Sequence, residues 1–310
     1  MLDIIGAIAP VFALIVLGQV LWRTMLPGSE FWSTSDRLTY WVLFPALLFN
    51  KISTAELGAQ FIGPYALVLV GGFAAAVAFA LMIARLSGLP GPVASSVLQG
   101  SARHNTFIAL AVAERLYAAK GLAIAALASS ILIPITNVVV VVAMVMLHPS
   151  RKDGRLVATI LGDLARNPLI IGVLAGVLVN LAGLARTPLL HEATDLLGRA
   201  ALPIVLLSIG ASIRFGEMSA ATRPILMAMA GKLVVFPLVV LALVRLTGLT
   251  GTPASIALIF GSVATASSAY ALARQMGGDA PLMAAIVTLQ TLVSFLTMPL
   301  TLIAAAALLS

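Results

Sequence analysis

Cysteine is absent, histidine occurs three times, and charged side chains make up only 9% of the 310 residues. Without thiols there is no disulfide, thiolate metal site or cysteine nucleophile. His104, His148 and His191 lie far apart and no pair has helical metal-ligand spacing, so no zinc, haem or other cofactor is expected. No hydrolase nucleophile elbow, phosphate-cradling glycine loop or His-Glu-x-x-His pair occurs, and enzyme chemistry therefore has no support.

What is present instead is apolar surface. Hydrophobic residues reach 61% and mean hydropathy is +1.12, whereas soluble domains hold roughly 45–50% apolar and 25% charged residues. A helix needs roughly 20 apolar residues to cross the ~30 Å hydrocarbon layer. Such runs predict ten spans, near Ile4 to Trp22, Leu38 to Ser53, Phe61 to Leu86, Pro92 to Leu116, Leu122 to Leu147, Pro168 to Leu184, Leu196 to Ile213, Ile225 to Leu246, Pro253 to Met276 and Pro281 to Leu309. A basic loop, His148 to Arg155, divides them into halves, 1–150 and 151–310. The start lacks the basic segment and cleavage site of a removed signal peptide, so the first span is expected to stay. The bilayer is thus the chain's main partner, and the formal charge of +7 is read as topology information rather than as a nucleic-acid site. Ten Lys and Arg at one set of span ends against six at the other predict that both termini lie outside the cytoplasm.

The two halves resemble each other. Arg-Leu-Ser-Gly-Leu-Pro-Gly at 85–91 returns as Arg-Leu-Thr-Gly-Leu-Thr-Gly at 245–251, 160 residues later. At similar shifts Phe44-Pro45 matches Leu202-Pro203, Gly100-Ser101 matches Gly261-Ser262, and Ile4-Ile5-Gly6 matches Ile170-Ile171-Gly172. A unit of five spans must place its second copy upside down, giving the inverted repeat of many secondary transporters.

Spans four and nine carry polar interruptions at matching depth. Span four reads Gln99-Gly100-Ser101-Ala102-Arg103-His104-Asn105-Thr106, with Arg103 near the midplane, where an arginine costs at least ~2.5–3.5 kcal/mol. Span nine reads Gly261-Ser262-Val263-Ala264-Thr265-Ala266-Ser267-Ser268. Broken helices meeting there would turn backbone N–H groups and positive dipole ends toward an anion. Small hydroxyl residues such as Thr265, Ser267 and Ser268 also simply permit close helix packing. Lys232 is a second cation inside a span, facing a cavity or held in an internal ion pair. Glu114, Asp163 and Asp195 fall near span ends, which leaves carboxylate-based sodium or proton coupling without an obvious seat, although His104 titrates in a useful range. Asn137, Asn180, Gln290 and Thr297 read equally well as glue between helices.

Asn105-Thr106-Phe107-Ile108, Asn167-Pro168, the run from Leu202-Pro203 to Ser208-Ile209-Gly210-Ala211-Ser212, and the stretch from Ala269 to Asp279 resemble the bacterial branch of the auxin efflux carrier family. That resemblance, which covers nearly the whole chain, implies an all-α carrier of the cell inner membrane. It would have ten transmembrane helices in two inverted five-helix repeats, with helices four and nine broken and crossing at the substrate site. Spans three to five and eight to ten would form the transport domain, and spans one, two, six and seven a scaffold at a possible homodimer interface. The substrate would be a small organic anion, a dicarboxylate such as malate or malonate or an auxin-like acid, moved without ATP and outward. Asn105 matches the asparagine of the family's span-four crossover, whereas the prolines common at these breaks are replaced by Arg103-His104 and Ala264. The expected substrate-binding residues are Arg103, His104, Asn105, Thr106, Lys232, Thr265, Ser267 and Ser268. The rival readings are a bile-acid-type or cation/proton-coupled symporter of the same architecture and a membrane receptor that binds without transporting.

Overall fold

The computed structural model describes residues 2–55, 62–147, 166–184, 187–214 and 222–309. The basic loop at 148–155, Asp163 and Arg186 lie outside the described residues, as does the boundary at 150/151 between the halves. Among the described residues all regular structure is helical, and six helices are long and apolar enough to cross a membrane: Ile4–Thr24, Ile62–Leu86, Gly91–Leu147, Pro188–Ala211, Thr222–Thr247 and Ala280–Leu308. Pro168–Leu181 and Gly251–Ser262 are shorter apolar helices.

We number the helices α1 (Leu2–Thr24), α2 (Ser29–Leu38), α3 (Phe44–Ser53), α4 (Ile62–Leu86), α5 (Gly91–Ala102), α6 (Thr106–Leu147), α7 (Pro168–Leu181), α8 (Pro188–Ala211), α9 (Thr222–Ala230), α10 (Phe236–Thr247), α11 (Gly251–Ser262), α12 (Ser268–Met276) and α13 (Ala280–Leu309). π-helical turns at Thr39–Leu43 and Gly231–Val235 join α2 to α3 and α9 to α10. Two expected starts are corrected. The helix expected from Leu38 begins at Ser29, and the one expected from Leu196 begins at Pro188. Both added segments are rich in polar residues and resemble loop composition; in the first these are mostly exposed around buried Trp32, and in the second His191, Thr194 and Asp195 turn to α3, bonding Ser53, Asn50 and Lys51. Asp195 consequently lies within α8, where it pairs with Lys51 at 3.2 Å and with Arg199 at 2.6 Å. The second half of span four and the whole of span five run on as α6, kinked where Ala118 turns to φ 50°.

Hydrogen bonds sort the helix ends into two groups. In one, the Arg214 guanidinium lies 5.1 Å from the Trp22 ring, its backbone N donates to Thr288 Oγ1 (3.2 Å), Asp279 N donates to Pro92 O (3.1 Å), and Arg223 Nη2 reaches Ser87 Oγ (3.3 Å). In the other, Arg115 Nε donates to Ala7 O (3.5 Å), Lys51 meets Asp195, and Asn180 Nδ2 caps α3 through Ser53 O and Ala55 O, both at 2.9 Å. Close helix approach rests on glycine. A Cβ on Gly172 would stand 2.8 Å from Pro45 O, and one on Gly210 would enter the backbone of Ile15. The repeated seven-residue sequences fold alike: Gly88 and Gly248 take φ 60° and 66°, and Leu89 N and Leu249 N bond back to Ala84 O and Val244 O at 3.0 and 3.1 Å. This is the left-handed helix stop that glycine favours.

Candidate functional site

α5 ends because Arg103 leaves helical space (φ −68°, ψ 148°) after its N–H closes the last bond to Gln99 O at 3.0 Å. Asn105 starts the next helix as an N-cap, its Oδ1 accepting from Ile108 N at 3.1 Å, a role asparagine fills well. α11 ends in the same way, with Val263 at φ −68°, ψ 148° bonded back to Ile259 O at 2.9 Å, and α12 resumes at Ser268.

The two interruptions meet. Asn105 N donates to Ala264 O at 2.8 Å, and Thr265 Oγ1 donates to Gly100 O at 2.8 Å and to Arg103 O at 3.3 Å. Gln290 of α13 straps the crossing: its Nε2 donates to Gly100 O (2.7 Å) and Ala228 O (3.2 Å), and its Oε1 accepts from Thr265 N (3.0 Å). Irregular backbone away from water survives only when its polar groups are satisfied internally, which these bonds accomplish.

Beside the crossing lies a cavity of about 310 Å³ lined by Tyr40, Arg103, His104, Thr106, Phe107, Ile133, Thr136, Asn137, Asn167, Leu169, Ala266 and Ser268. Three helices begin in its wall. Thr106 opens α6, Asn167 caps α7 by accepting from Leu169 N at 2.9 Å, and Ser268 opens α12. Helix N-termini carry partial positive charge and attract anions. Arg103 adds a full charge. Its Nη2 reaches Asn137 Oδ1 (3.4 Å) and Ser268 Oγ (3.3 Å), while Nη1 has no partner among the described residues. Two further buried polar atoms of wall residues, His104 Nδ1 and Thr136 Oγ1, are also unpaired among the described residues. Among the described residues no carboxylate lines it.

Of the residues expected at the site, Arg103, His104, Thr106 and Ser268 line this cavity. Asn105 is buried and caps α6, and Thr265 is buried in the tie across the breaks. Half-buried Ser267 precedes α12 outside the wall. Lys232 is fully buried and does not line the cavity; its Nζ lies 3.3 Å from Phe260 O, and it forms no ion pair among the described residues. Sequence reasoning missed Tyr40 and Thr136 as wall residues and left Asn137 and Gln290 as generic glue. Asn167 carried a usable signal, since asparagine directly before proline is the signature of a capped helix start.

Apolar helices of spanning length, two of them broken and crossing beside a polar cavity, define a polytopic membrane protein. Residues 3–302 match the family described as membrane transport protein, and the chain belongs to that family, as its resemblance to the auxin efflux carriers implies. A protein of Methanothermobacter thermautotrophicus described as an uncharacterized transporter is 23% identical over 294 residues, 94% of each chain. The chain is a multi-pass membrane transporter.

Proposed function

We propose that this transporter is a secondary carrier that moves a small organic anion outward by alternating access, with the cavity beside the crossing as its substrate site. The observation that carries the reading is Arg103, whose buried Nη1 has no partner among the described residues, on a wall that presents the starts of α6, α7 and α12 and, among the described residues, no carboxylate. A volume of about 310 Å³ stands at the small end of ligand pockets, roughly 300–1,000 Å³, which suits a mono- or dicarboxylate of malonate, malate or auxin-like size. In this reading the chain crosses the inner membrane ten times as two inverted five-helix repeats, 1–150 and 151–310. Spans three to five and eight to ten move against a scaffold of spans one, two, six and seven, through which two copies pair. The matched glycine stops and the identical backbone angles at Arg103 and Val263 support the repeat.

The test is flux of labelled malonate, malate and an aryl acetate from proteoliposomes, with folding followed by monodispersity in detergent. A hydrogen bond to a charged group contributes about 1.5–3 kcal/mol, so Arg103→Gln should lower flux roughly 10- to 150-fold while the protein remains folded. Parental flux in a folded Arg103→Gln variant would remove the anion assignment. Saturable binding without any flux in the parent would favour a receptor.

A further inference from the structure

The half-helices α5 and α11 leave carbonyl oxygens without helical partners, because the chain turns away after Ala102 and Ser262. Gly100 O, near the end of α5, accepts from the neutral donors Gln290 Nε2 (2.7 Å) and Thr265 Oγ1 (2.8 Å). Phe260 O occupies the equivalent place in α11, two residues before the end, and its donor is the Lys232 ammonium at 3.3 Å. The same nitrogen lies 4.1 Å from the centre of the Phe236 ring. A carbonyl at the negative end of a helix and the face of an aromatic ring both draw positive charge. In carriers with broken helices, the half-helix C-terminal ends and unwound carbonyls are where the coupling cation is held.

Local structure places the ammonium there. Lys232 sits on the π-helical turn Gly231–Val235, where a wider turn re-aims the side chain. A Cβ on Gly231 would come within 2.5 Å of Ser101 Oγ, so glycine is what brings this turn against α5. Gly72, which the repeat aligns with Lys232, would meet the Phe236 ring at 3.0 Å if it carried a Cβ, and its bareness leaves room for that ring. One half thus has a cation where the other has no side chain.

We propose that Lys232 is a resident cation that takes the place of a mobile alkali ion at the end of α11, so that the carrier cycles without a coupling ion. Only the second clause rests on the carrier reading, because occupancy of the position does not depend on which anion is moved. The full chain is unfolded by heat in detergent containing choline, sodium, potassium or methylammonium chloride at one ionic strength. The parent should unfold at the same temperature in all four. Lys232→Ala should unfold earlier in choline and recover saturably in methylammonium or sodium, which enter the vacated position, whereas Arg103→Gln should show no ion-specific recovery. A saturable sodium or potassium effect on the parent, or a Lys232→Ala protein indifferent to all four salts, overturns the proposal. If Lys232→Ala yields no folded protein, the parent decides alone: anion flux unchanged when choline replaces sodium and potassium supports a resident cation, and a loss beyond about tenfold overturns it. Failure of the anion assignment registers separately, in the Arg103→Gln flux.

Discussion

Gln290 shows how much of a membrane site can hang on one neutral side chain. Its amide closes Gly100 O, Ala228 O and Thr265 N, which belong to three different segments. Each buried polar group left unpaired costs about 1–3 kcal/mol, so Gln290→Leu is expected to lower the unfolding temperature in detergent sharply and to abolish flux. Arg103→Gln, by contrast, should lose flux with little change in that temperature. Sequence alone exposed the second residue and hid the first. Arg103, His104 and Asn105 stand out because charge and amides interrupt an apolar run. One glutamine in a long helix looks the same whether it pairs with a neighbour or holds a crossing. Its partners here are backbone carbonyls, freed only by breaks in other helices. Lys232 was equally visible as an oddity, but its partner, Phe260 O, is 28 residues away on a helix end that composition does not mark.

At the scale of helices, hydropathy locates the long apolar elements and fails at their polar extensions. Ser29–Leu38 and the first turns of α8 carry enough serine, threonine and acid to resemble loops, yet each is continuous with an apolar helix that it lengthens. The interruptions after α5 and α11 were legible because a Gly-Ser pair and further polar residues fall at one depth in both halves, with charge added in the first. How closely two helices approach was not legible. α1 and α8 touch where Gly18 faces Leu207 backbone and Gly210 faces Ile15 backbone. Gly210→Val should therefore drive these helices apart and give aggregated material on size-exclusion chromatography, while Gly6→Ala, with nothing within 4 Å of the added carbon, should elute as the parent does.

For the molecule as a whole, the matched glycine stops at Gly88 and Gly248 offer a direct measure of topology. An inverted repeat places these equivalent turns on opposite faces of the membrane. Because the chain has no cysteine, single substitutions Ser87→Cys and Thr247→Cys report without background. With the termini outside, a membrane-impermeant maleimide should label Thr247→Cys in intact cells and Ser87→Cys only after permeabilisation. The reverse pattern turns the molecule over, and labelling of both from one side dismisses the inverted repeat.

Arg103 and Lys232 are cations within the apolar spans with no acidic partner among the described residues. A segment that carries such charges through the transmembrane field does electrical work, about 2.3 kcal/mol per elementary charge for each 100 mV traversed. Empty, the crossing would move two positive charges; with a dianion bound it would move none. The return of the unloaded protein should thus be the voltage-sensitive half of the cycle, visible as a transient current on a solid-supported membrane that shrinks when a dicarboxylate is present on both sides. Arg103→Gln should halve the charge displaced, and a current indifferent to dicarboxylate would mean that the crossing stays fixed in the field.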